Sequence, residues 1–194
     1  MKNLLKLTIV LTTALVFFQS CKPKEPVEPT TKEKLCVTRT LKSGYDSTFI
    51  KINSESEYFF STKTEYTNTH ISYVFTDGQT RSYNYTEQIS LSNNGDYRQT
   101  TSVITTPDTA KTDFVGTWEF TEGNSTYKDE ERFILYTNKL IANDTLEMNN
   151  NGFRPDITCV IKFLDTNTLK IEYEYITTQG TSNTKIKGEK TFSK

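Results

Sequence analysis

The sequence predicts an all-β domain, an antiparallel meander that closes into a barrel or a barrel-like sandwich. Alanine, the strongest helix former, occurs only at Ala14, Ala110 and Ala142, while 11 tyrosines and 12 phenylalanines stand in the chain. From Leu35 to Lys194 apolar residues recur at every second position, the period of a strand with one buried face. Turn-forming residues separate these runs closely, and short loops between sequential strands favour antiparallel neighbours.

The chain opens differently. Met1–Ser20 carries Lys2 and Lys6, then an apolar stretch, Leu7–Phe18, of signal-peptide length and too short for a comfortable membrane span. Phe18-Gln19-Ser20-Cys21 resembles a bacterial lipobox, in which a small residue precedes the cysteine that is cut and acylated. Relaxed lipoboxes ending in Ser-Cys resemble those of Bacteroidetes lipoproteins. The alternatives are a soluble secreted protein or an uncleaved anchor helix, with Cys21 incidental. The resemblance implies a mature chain 21–194 of net charge −3, since Lys2 and Lys6 are lost. Acyl chains on Cys21, palmitate among them, would then hold it to a membrane. Lys22, rather than Asp, follows that cysteine, which by lipoprotein sorting in Gram-negative bacteria implies the outer membrane, on its periplasmic or its exterior side.

Residues 21–34 read as a tether behind the acylated cysteine. Pro23, Pro26 and Pro29 are three of the five prolines and sit among charges, a composition that gives an extended spacer of roughly 40 Å.

Residues 35–194 form the β-domain. Strands are expected at 35–42, 47–53, 57–66, 70–76, 79–91, 96–105, 115–121, 131–137, 140–147, 157–164, 168–177 and 184–192. Ile71, Tyr73 and Phe75 alternate with polar neighbours, as do Tyr83, Tyr85, Ile89 and Leu91. Ile157, Cys159, Ile161 and Phe163 are expected on one face, and Leu169, Ile171, Tyr173 and Tyr175 on another such face. Asp77-Gly78 reads as a two-residue hairpin turn. No long helix is expected after the signal peptide.

Two short signatures carry a resemblance. Asn94-Gly95-Asp96-Tyr97 opens one strand, and Gly116-Thr117-Trp118 opens another about twenty residues later. With Ile161-Lys162-Phe163-Leu164, Thr168-Leu169-Lys170-Ile171 and the closing Thr191-Phe192-Ser193-Lys194, this order resembles the lipocalin-like lipoproteins of Bacteroidetes over residues 85–194. The resemblance implies a lipocalin-like barrel and leaves the activity open. Physically, Gly116 suits a tight backbone approach and Trp118 a core indole.

Composition narrows the function. Lys and Arg number 23 against 24 Asp and Glu, without the basic excess of a nucleic-acid binder. The lone histidine, His70, falls on the polar phase of its strand and reads as solvent-facing. No nucleophile elbow, phosphate loop or zinc motif is present, so neither catalysis nor a cofactor or metal is expected. Asp129-Glu130-Glu131 reads as a solvated loop, and Glu172 and Glu174 as an outward polar face. An oxidising envelope would allow Cys36 and Cys159 to pair, although Cys159 falls on an apolar phase and Cys36 in phase with Thr38 and Thr40. Tyr58, Phe59, Phe60, Tyr66, Tyr73, Tyr83, Tyr85 and Tyr97 read as core, or else as the lining of a hydrophobic or glycan-binding cavity. The expected function is non-catalytic binding of a small, partly apolar ligand in the barrel. The alternative is a structural module with a filled barrel whose loops meet an envelope protein.

Overall fold

The computed structural model describes residues 28–52, 55–105, 108–122, 130–150 and 154–194. A short helix, α1 (Thr31–Leu35), precedes β1 (Thr38–Ile52), β2 (Phe59–Thr67), β3 (His70–Phe75), β4 (Thr80–Leu91), β5 (Asp96–Thr105) and β6 (Asp108–Thr121). The chain continues through β7 (Arg132–Ala142), β8 (Leu146–Asn149), β9 (Ile157–Leu164), β10 (Thr168–Gln179) and β11 (Ser182–Ser193). Cys21 and Asp129 lie outside the described residues.

Ten of these strands close into an antiparallel, lipocalin-like barrel. Each strand pairs with the next in sequence, except that β8 pairs only with Lys139–Ala142 of β7, while Arg132–Leu135 of β7 pairs with β9. The ring shuts where β1 meets β11, from Thr40 opposite Ser193 to Ile52 opposite Ser182. Closure removes the unpaired edges that an open sheet would expose.

The barrel is not equally wide at its two ends. Thr38–Thr40 pairs directly with Gln88–Ser90 of β4, whereas Ser43–Ile50 pairs with β2. The β2–β3 hairpin is therefore a wedge between β1 and β4. Eight strands ring the end near Thr38 and ten ring the other. Barrel diameter grows with strand number, so the ten-strand end is the broader.

Sequence and structure part at several places. The expected strands 35–42 and 47–53 are one strand, β1, because the ladder bridges Ser43–Asp46 with a bulge at Lys42. Strand β6 starts seven residues before the expected 115; its first residues, Asp108–Asp113, hold only Ala110 among polar side chains and show no alternation to read. The expected strand 140–147 is split, because Asn143 and Asp144 turn the chain with φ of +49° and +61°. The loop after β3 is longer than two residues, with the Phe75 amide donating to Gln79 O across Thr76–Gly78. Residues 31–34, read as tether, are helical. Thr30 caps α1 through the Glu33 amide, and the Glu33 carboxylate accepts from the Thr30 amide in return. Phe163 is half exposed rather than inward, because a bulge at Lys162 sets Phe163 opposite Lys170 and turns Leu164 in beside Leu169.

The eight-strand end is plugged. Leu35 of α1 is fully buried, beside a cluster that includes Leu91, Trp118, Phe133, Leu169 and Phe192. Arg39, buried in the same end, donates to the carbonyls of Lys34 and Leu35 and so satisfies the end of α1. The two signatures are one structural unit there. The Trp118 amide donates to Gly95 O, and its indole Nε1 donates to Ser92 O at 2.9 Å. Tyr97 pairs with Gly116 across the β5–β6 ladder. A side chain at Gly116 would collide with Tyr136 O and come within 2.9 Å of the Tyr97 ring, so the glycine is required by close approach. The Trp118 ring meets Phe133 edge-on at 6.4 Å.

Candidate functional site

Above this plug the barrel holds a cavity of about 450 Å³. Its floor is apolar, built from Ile89, Leu135, Ile157, Ile171 and Phe192, whose inward positions follow from strand alternation on β4, β7, β9, β10 and β11. Toward the ten-strand end Tyr175, Thr177 and Ile186 form its wall, and Ile50, Ile52 and Phe59 stand exposed at that end of β1 and β2.

A polar network crosses the lumen between floor and mouth. Glu87 is fully buried, and its carboxylate accepts from Lys190 Nζ at 2.7 Å, Tyr85 Oη at 2.7 Å and Gln99 Nε2 at 2.6 Å. Burial alone would push the Glu87 carboxyl up. The Lys190 ammonium and these donors outweigh it and hold the group below its ordinary value. Burial pulls Lys190 down, but Glu87 and then Asp46 outweigh that and raise it. The Lys190 ammonium also lies 4.4 Å from the centroid of the Tyr66 ring.

Asp46 forms a second node. It accepts from Tyr66 Oη at 2.6 Å and from Tyr173 Oη. Burial, reinforced by the Asp46 charge, pushes both phenols well above their ordinary value. Gly188 makes room for this node: a Cβ there would strike Asp46 Oδ1 and come within 2.6 Å of Tyr45 O.

Arg154 completes the ring of polar groups. Asn150 holds the segment before β9 inward, its side-chain amide donating to Thr137 O and Arg154 O at 2.7 Å each, while its Oδ1 accepts from the Arg154 amide. The Arg154 guanidinium lies over the Phe114 ring, its Cζ 3.7 Å from the centroid, and donates from Nη2 to Gln99 Oε1 at 2.6 Å. Its Nη1 is buried with no hydrogen-bond partner among the described residues.

The sequence-derived candidates divide. Of the eight singled-out aromatics, Tyr66 and Tyr85 line the cavity. Tyr97 is buried against Thr137, Tyr73 and Tyr83 pack edge-on, and Phe59 and Phe60 are exposed. His70 is exposed at the start of β3, as its phase predicts, its Nδ1 2.7 Å from Thr69 Oγ1. Glu172 pairs with Lys162 and Lys187, and Glu174 with Lys185, on the outer face. Glu130 pairs with Arg132 and Lys162, and Glu131 accepts from Thr31 Oγ1. Cys36 and Cys159 are free thiols: Cys36 caps the C-terminus of α1, while Cys159 faces the lumen. Burial pushes the Cys159 thiol up to about 12, so it is not a nucleophile at neutral pH. Among the described residues no three His, Cys, Asp or Glu side chains cluster to hold a metal ion.

Sequence reasoning missed Asp46, Glu87, Gln99, Arg154 and Lys190. For Glu87 a signal was present, because it shares the phase of Tyr85, Ile89 and Leu91. Comparison of the chain with protein-family models, with curated proteins and with solved structures gives no match.

Proposed function

We propose that this protein is a lipid-anchored envelope lipoprotein of the lipocalin-like kind, whose barrel binds a small, partly apolar ligand without catalysis. The observation that carries the reading is the cavity of about 450 Å³ with an apolar floor and a few convergent polar groups. Ligand pockets typically have about 300–1,000 Å³ and that mixture of lining. A filled barrel acting only as a docking module would leave no such space. The anchor is Cys21, and the outer membrane follows from Lys22 behind it.

Mass spectrometry tests the binding reading. The full chain is expressed in a Gram-negative host, extracted in mild detergent, and measured under native and denaturing conditions. An extra mass that leaves on denaturation is the expected result and gives the ligand's class. A bare acylated mass, together with no uptake of a neutral apolar dye, overturns it in favour of the docking module.

A further inference from the structure

Within the binding reading above, the cavity's charges specify one end of the ligand. Four charged side chains face the same space: Asp46, Glu87, Lys190 and Arg154. Lys190 is committed to Glu87 at 2.7 Å and to the face of Tyr66. Glu87 accepts three hydrogen bonds, and Asp46 accepts from two tyrosines. Arg154 is the exception. Among the described residues no carboxylate lies within ion-pair distance of it, and its one polar side-chain partner is the neutral Gln99 amide. Nη1 is buried and unpartnered.

A buried charged donor without an acceptor is costly, whereas a charge-assisted hydrogen bond to it is among the stronger ones available. The guanidinium cannot swing away to find water cheaply, because the Phe114 ring lies under it and Asn150 fixes its backbone. Tyr175 lines the same cavity, and its Oη makes no hydrogen bond among the described residues. A buried, charged donor thus lacks an acceptor in a half-apolar space.

We infer that the ligand is a monocarboxylate with an apolar body, its carboxylate seated on Arg154 Nη1 and its body on the apolar floor. A single anionic charge suits the site better than a dianionic phosphate, because Asp46 and Glu87 share the lumen and repel added negative charge. With Nη2 held by Gln99, one nitrogen of the fork is left for the ligand.

The test uses the full acylated chain in phospholipid nanodiscs at pH 7.4, with empty nanodiscs subtracted. The neutral dye N-phenyl-1-naphthylamine reports occupancy, and decanoate and 1-decanol, which differ only at the head group, compete with it. Wild-type protein is expected to need at least tenfold less decanoate than the Arg154→Gln variant. The decanol curves and dye affinity of the two proteins should agree within twofold. Arg154→Lys, which keeps the cation, should retain part of the decanoate preference and guards against a folding defect in the glutamine variant. Equal decanoate curves for wild type and Arg154→Gln overturn the carboxylate assignment while leaving a binding barrel in place, as does an equal loss of decanol. Failure of wild-type protein to take up the dye overturns the binding reading itself.

Discussion

Lys190 Nζ meets Glu87 Oε2 at 2.7 Å across the barrel lumen, joining β11 to β4, two strands that do not pair in the sheet. Neither side chain is accessible enough for water to replace its partner, Glu87 being closed off and Lys190 8% exposed. A buried ion pair contributes little over a well-packed apolar pair, but losing one partner leaves an uncompensated charge. Lys190→Met should therefore destabilise the protein by about 3–5 kcal/mol. Adding Glu87→Gln to that variant should recover part of the loss, since the orphaned charge is then gone. Urea unfolding at pH 7 checks both; a Lys190→Met midpoint equal to wild type would refute the network's structural role.

The same network sets the limits of pH stability. Glu87 is depressed below its ordinary 4.5, so its contribution is present above that pH and is lost as pH falls through the folded value. Lys190 and the phenols of Tyr66, Tyr85 and Tyr173 are raised, so their contributions are present below the ordinary values of 10.5 and 10.0 and are lost as pH rises toward the folded values. Cys159 adds loss from 9.0 to about 12. The stability profile should be flat between about pH 5 and pH 9 and fall on both sides, more steeply on the alkaline side, where five groups titrate. Denaturant midpoints across pH 3–11 read the profile directly. Constant stability from pH 9 to pH 11 would contradict the burial of these groups.

Gly188 holds the second node together by having no side chain. Its Cα sits opposite Asp46 in the β1–β11 ladder. The Asp46 carboxylate lies over it to reach Tyr173, and a methyl group there would also come within 3.0 Å of the Tyr173 ring. Gly188→Ala must displace the carboxylate or the strand, with an expected cost of about 1–3 kcal/mol. The same variant should weaken the protection of the Tyr173 phenol, visible as tyrosine ionisation at lower pH in ultraviolet titration. An unchanged midpoint together with an unchanged titration would show that the backbone at β11 yields freely.

These residues differ in how legible they were beforehand. Tyr85, Glu87, Ile89 and Leu91 share one phase of β4, so the strand period alone carries Glu87 into the lumen. Lys190 likewise shares the phase of Phe192 on β11. Asp46 was hidden by the bulge at Lys42, which reverses the phase of β1: Leu41 faces Phe192, and the next inward residues are Gly44 and Asp46, opposite Lys190 and Gly188. Arg154 had no period to betray it, since it precedes β9 beside Pro155 and is turned inward by Asn150. The strand order was legible for the opposite reason. From β2 to β5 and from β9 to β11, each apolar run ends at a strong turn and meets its sequence neighbour. The β2–β3 wedge that widens one end depends on register between distant strands, which local patterns do not encode.

The proposed membrane anchor depends on one residue, Cys21, and is the most direct reading to test. Among the described residues no helix is long and apolar enough to cross a membrane, and α1 caps the eight-strand end with charged residues on its exposed side. One acyl chain gives only marginal, reversible binding, so stable attachment requires two or more on the mature terminus. Cys21→Ser removes the acceptor for all of them. The variant should lose metabolic palmitate labelling completely and disappear from the outer-membrane fraction, while its barrel keeps the wild-type unfolding midpoint. If the serine chain still incorporates palmitate, acylation occurs elsewhere and the lipoprotein reading fails. If Cys21→Ser loses the label but remains in the outer-membrane fraction at high salt, a second attachment holds the protein there and the lipid is not its anchor.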